Sequence, residues 1–203
     1  MKPETTLPAE LSRQQEIVIS RYGNIENAMG KLSPTNIQKA ITEYSIKSNK
    51  QAYLTDSITL STFGRCYSKN SCFALIELWL FELSEFSGAQ NKLTPAQMNQ
   101  LAPMIYSEAY ALNFAELGLF FNRIKIGHYG EFYNVVDPIK IMTFLGQFIS
   151  ERSISIEKYN EEQSQEKKRI DFQNCLNMKI TDEQQQEITT IRNNFIKQTI
   201  VKR

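Results

Sequence analysis

The residues best equipped for recognition chemistry fall in one stretch. Arg123 and Lys125 lead into Gly127-His128-Tyr129-Gly130-Glu131-Phe132-Tyr133, and Asp137 closes it. Arg123, Lys125, His128, Tyr129 and Tyr133 have two functional uses. Cations beside aromatic rings can meet a phosphate backbone and stack on a base. Tyr and Arg are also favoured anchors in protein interfaces. A third reading is purely architectural. Gly127 then ends a helix, Gly130 turns the loop, and the aromatics fill the space between helices.

A second basic region lies at the C-terminus. Residues 167–203 hold eight Lys/Arg against four Asp/Glu, a local net of +4. Arg192, Lys197, Lys202 and Arg203 could track phosphates. They equally suit the cationic end of a helix, where the macrodipole favours them. The narrow seam of Ile188, Ile191 and Phe195 adds a third use, as a partner-binding amphipathic helix.

Catalytic chemistry is poorly supplied. His128 is the single histidine, so no multi-histidine metal site can form. The chain has no GxxxxGK[ST], GxGxxG or GxSxG pattern, which leaves no nucleotide cradle or nucleophile elbow. Glu77, Glu82 and Glu116 sit beside apolar residues and read as caps or solvated acids rather than paired catalytic carboxylates. Cys66, Cys72 and Cys175 are odd in number and match no zinc spacing, as expected for reduced, mostly buried thiols. No cofactor, metal or small-molecule substrate is expected, and the chain reads as a non-enzyme.

The elements that must position these groups are helices. Ser33-Pro34, Thr94-Pro95-Ala96-Gln97, Asn113 with Glu116, Asp137-Pro138 and Thr181 with Gln184 are helix starts. A first helix over Leu11 to Ala28 breaks near Gly23, and Asp56 or Ser57 caps a short one carrying Leu60 and Phe63. Ser71 is expected to cap a helix running to about Phe86. Its residues Phe73, Leu75, Ile76, Leu78, Trp79, Leu80, Phe81 and Leu83 are apolar on most faces, so it reads as the buried centre with Trp79 in the core. Met98, Leu101, Ile105 and Ala109 recur at helical spacing, with Pro103 set to kink that helix or split off its first turn. Phe114, Leu117, Phe121 and Ile124 form the next stripe, and Ile139, Met142, Leu145 and Ile149 another. The segment 128–136 is either a short hairpin or an ordered loop. Beyond Glu151 the helix continues as a solvated, charged arm.

The expected fold is therefore all-α, a compact orthogonal helical bundle with a helical C-terminal extension. Its expected divisions are 1–55 as an N-terminal helical extension, 56–152 as the core, and 153–203 as arm and final helix. Net charge is +1, so no global field points to nucleic acid or membrane. The longest apolar run, Cys72–Leu83, is broken by Glu77 and Glu82 and is far short of the ~20 residues that span a bilayer. The polar N-terminus has no signal-like apolar region. A cytoplasmic protein is expected.

About 90 residues also resemble a known family. Its features here are Trp79-Leu80 before Glu85-Phe86, then Gln97, Ile105, Ala115-Glu116-Leu117 with Phe121, Arg123 and Lys125. They continue through Gly127-x-Tyr129-Gly130-x-x-Tyr133, Asp137 and Glu151-Arg152. The pattern resembles small helical proteins encoded on phages and mobile elements of Bacteroidetes-type bacteria, with Asp137-Pro138 standing where that family has Asp-Gly. At the level of architecture, Trp79, Met98–Ile105 and Phe114–Phe121 are similar to the N-terminal domain of phage replicative-helicase loaders. The resemblance implies a bacterial host; together with the basic-aromatic loop and the absence of catalytic motifs, it leads to the expectation of an adaptor in phage or mobile-element DNA replication or maintenance, helicase-loader-like in its most concrete form, with a replicative helicase as protein partner. The alternatives are a direct nucleic-acid-binding regulator and a virion-associated structural protein.

Overall fold

The computed structural model describes residues 13–177 and 182–200. They form an all-α fold of α1 Arg13–Tyr22, α2 Ile25–Lys31, α3 Pro34–Glu43, α4 Asn49–Leu54, α5 Leu60–Cys66, α6 Lys69–Phe86, α7 Pro95–Ala109, α8 Phe114–Lys125, α9 Pro138–Asn177 and α10 Asp182–Ile200. Two compact units divide between Lys158 and Tyr159.

In the first unit, local capping sets most helix starts. Thr94 with Gln97 and Asn113 with Glu116 each make both bonds of a capping box. Asp137 Oδ1 accepts from the Ile139 N–H at 2.8 Å as α9 begins. Gly23, at φ 79°, separates α1 from α2. Pro103 is accommodated within a single helix, α7. Three starts differ from expectation. α4 begins at a Ser48–Gln51 capping box. Thr59 caps α5, its side chain accepting from the Thr62 N–H. Ser68 caps α6 by accepting from the Ser71 N–H. Thr181, the expected cap of the last helix, lies outside the described residues.

The centre of this unit is α8 rather than α6. Every residue from Phe114 to Phe121 is buried. α3 and α4 pack on α8, while α5 and α7 pack on α6. Gly118 explains how α8 is enclosed. A Cβ built there would stand 2.5 Å from Ile37 Cγ2 and 2.7 Å from Ile41 Cδ1, so only a glycine lets α3 lie this close. α6 buries Leu75, Ile76, Trp79, Leu80 and Leu83 but exposes Leu78, Phe81 and Phe86. Its apolar composition thus exceeds what its neighbours cover. Trp79 is fully buried and stacks on Phe121 at 5.2 Å.

α9 buries Ile141, Phe144, Leu145 and Phe148, while Ile139 is 77% exposed. Of the expected stripe, Leu145 is buried and Met142 and Ile149 pack partly buried against the core, so only Ile139 departs from it; Ile141, Phe144 and Phe148 complete the inward face. In the second unit, the last part of α9 and α10 are solvated. Every residue from Asn160 to Cys175 and from Glu183 to Asn193 is exposed.

Candidate functional site

Arg123 and Lys125 occupy the last turn of α8, where positive charge suits the helix dipole. The helix ends in a Schellman arrangement. The His128 N–H donates to the Arg123 carbonyl and the Gly127 N–H to the Ile124 carbonyl, each at 2.9 Å, with Gly127 at φ 74°. This geometry needs a left-handed residue, and glycine takes it without a Cβ penalty. It sends the chain sharply away from α8 and brings His128 and Tyr129 back beside Arg123.

The two cations meet carboxylates from other helices. Arg123 Nη1 donates to Glu151 Oε2 on α9 at 2.8 Å and to the Tyr129 hydroxyl at 3.3 Å. Its guanidinium lies over the Phe148 ring, 5.6 Å from the centroid. His128 Nε2 stands 3.5 Å from Glu151 Oε1, and its ring meets Tyr129 edge-on at 4.7 Å. Glu151 therefore gathers Arg123, His128 and Tyr129. Burial pushes the Tyr129 phenol above its usual range, against the opposing pull of Arg123. Its ring stacks on Phe144.

Lys125 turns the other way. Its ammonium donates to Glu82 Oε1 on α6 at 2.6 Å and also to Oε2. Only 5% of the Lys125 side chain is exposed, and its Nζ lies 5.1 Å from the centre of the Phe86 ring. A Lys–Glu contact of this kind ties two helices together, and a lysine so enclosed has little surface to offer a phosphate.

The 128–136 segment is an ordered loop without a hairpin. It is held by residue 91: the Asn91 N–H donates to the Asn134 carbonyl at 2.9 Å, and the Val136 N–H donates to the Asn91 carbonyl at 3.0 Å. Tyr133 stands apart from the cluster. It is 76% exposed, with the Lys140 ammonium 5.5 Å from its ring centre. Arg192 is exposed on α10. Lys197 lies on the same helix with its side chain outside the described residues; Lys202 and Arg203 lie outside the described residues. The candidates thus divide into Arg123, His128 and Tyr129 gathered by Glu151, Lys125 held separately by Glu82, a Tyr133 that stands apart, and Arg192 on α10 in the other unit.

Sequence reasoning missed the carboxylates that complete this arrangement. Glu82 and Glu151 were not linked to it, nor was Arg152 linked to Glu116. Glu116 is 1% exposed; its Oε1 accepts from Arg152 Nε at 2.7 Å and its Oε2 from the Asn113 N–H at 2.9 Å. Asn113 Nδ2 donates onward to the Ala52 carbonyl at 3.0 Å. The available signal was an acid inside an apolar run, because a buried charge requires a partner.

Beside the Lys125–Glu82 pair lies a cleft of about 330 Å³, lined by Leu83, Phe86, Ile124, Ile126, Glu131 and Phe132 among others. Phe86 and Ile126 are exposed. Among the described residues, no group of three or more His, Cys, Asp or Glu is placed to hold a metal. No helix there is long and apolar enough to cross a membrane.

Residues 92–195, from just before α7 into α10, match DUF6633, a family of unknown function. The chain belongs to this family. The matched span holds the whole α8–loop–α9 cluster together with Arg192. No curated protein and no solved structure matches the chain.

Proposed function

We propose that this protein is a non-enzymatic adaptor in replication or maintenance of a phage or mobile element, binding a protein partner through the cleft flanked by Phe86 and Ile126. One observation carries the reading: Arg123 and Lys125 are held by Glu151 and Glu82, while Phe86 and Ile126 stand in solvent at the neighbouring cleft. Exposed apolar side chains around a concavity suit a protein contact. Enclosed, neutralised cations suit a phosphate backbone poorly. The resemblance to helicase loaders supplies the partner class, a replicative helicase.

The test is capture of purified replicative helicase by the tagged full-length chain. Wild type should retain it, and Ile126→Asp or Phe86→Ala should lose most of the binding while keeping the wild-type melting temperature. Failure of wild type to bind the helicase removes the loader-like role. If the chain instead binds single-stranded DNA with an affinity that falls steeply with salt, the nucleic-acid reading takes its place.

A further inference from the structure

Among the described residues of the second unit, the apolar side chains from Ile170 onward stand in solvent. Ile170 and Phe172 on α9, and Ile188 and Ile191 on α10, are each at least half exposed. α10 has nineteen residues. Isolated helices near this length are marginal in water and generally depend on packing of an apolar face. A partner that covers its apolar residues would stabilise α10, and the residues along it indicate which one.

Ile188 and Ile191 are spaced as a and d of a heptad, and Phe195 follows in the sequence at the next a position. Glu187 then falls at g and Arg192 at e, directly beside the seam. In a parallel, in-register pair, a g residue faces the e residue five places further along the other helix. Glu187 of one copy would thus meet Arg192 of the other, and two-fold symmetry makes the contact twice. In an antiparallel pair, g faces g and e faces e, so Glu187 of one copy would no longer face Arg192 of the other and the attraction is lost. Charge therefore selects the parallel arrangement.

We propose that α10 is a self-association helix, pairing in parallel and in register with α10 of a second copy through Ile188 and Ile191, with Glu187 and Arg192 fixing the orientation. Isoleucine at both a and d also accommodates a third chain. The parallel contact from Glu187 to Arg192 is the same in either assembly. The seam is short, so association should be weak and reverse on dilution.

Sedimentation of the full chain tests this. Wild type should exceed the monomer mass at about 100 μM and dissociate on dilution. Ile191→Asp should raise the half-association concentration at least about tenfold, without changing the melting of the first unit. Glu187→Arg should weaken association, and adding Arg192→Glu should restore it. Orientation is read with Gln184→Cys, a d position, in a Cys175→Ser background. Mild oxidation should join two chains in the parallel arrangement, whereas Cys175→Ser alone should stay unlinked. A wild-type monomer at 100 μM would overturn the proposal. So would an oligomer indifferent to Ile191→Asp, or failure of Gln184→Cys to cross-link.

Discussion

In the first unit, cations are paired across long stretches of chain. Arg123 reaches Glu151, Lys125 reaches Glu82 and Arg152 reaches Glu116, each joining two helices. In the second unit, Arg169 pairs with Glu166 one turn away on the same helix, and both side chains are largely exposed. The residue types are the same, but their physical roles differ. The long-range pairs fix where α8 sits against α6 and α9, and they lie where water competes weakly. The local pair supports only its own helix and is screened.

The thiols give the widest separation between the two regions. Cys72 is fully buried in α6, and burial pushes its thiol up to about 12. Cys175 is exposed on α9. At pH 8, an alkylating reagent should reach Cys175 without any opening of the fold. Cys72 should react only when the unit opens, at least about a thousandfold more slowly given the usual folded-to-unfolded ratios of small domains. Comparable rates would show that α6 is not enclosed as described. The linkage has a definite sign. The folded thiol ionises above its ordinary value of 9.0, so its contribution to stability is intact below about pH 9 and is lost as pH rises towards 12.

The second expected effect is on stability. Arg152→Ala leaves Glu116 buried without its guanidinium, a change that costs about 3–5 kcal/mol for an enclosed pair. Urea unfolding should show it as a lowered midpoint. Glu116→Gln should cost less, because an amide oxygen can still accept from the Asn113 N–H. Equal losses in the two variants would mean that charge pairing contributes little there.

These contrasts also explain what could be read from the sequence. The boxes Thr94–Gln97 and Asn113–Glu116 were legible because donor and acceptor lie three residues apart. α4 was missed because Asn49–Leu54 is too short to display a periodic stripe. Ser68 and Ser71 are both plausible caps by type, and the choice lies in the extended backbone at Ser68. The burial ranking of α6 and α8 depended on Gly118, whose consequence appears only when α3 is laid across it. The same holds at the candidate site. Arg123, Lys125, His128 and Tyr129 were recognised as one local cluster, yet the acids that engage them come from 43 residues before Lys125 and 28 after Arg123. No local pattern encodes that pairing.

The smallest expected effect is the most direct check on the comparison. Arg169→Ala removes a guanidinium that is 75% exposed and paired at i,i+3 with a half-exposed Glu166 at 2.8 Å. Such a pair contributes about 0.3–0.5 kcal/mol to its own helix, and alanine's higher helix propensity offsets part of that. The urea midpoint of the first unit should not move, and total helicity by circular dichroism should change only slightly. A destabilisation of the first unit approaching that of Arg152→Ala would show that the arm contributes to the core after all. The division between enclosed and exposed charge would then no longer describe the energetics of this chain.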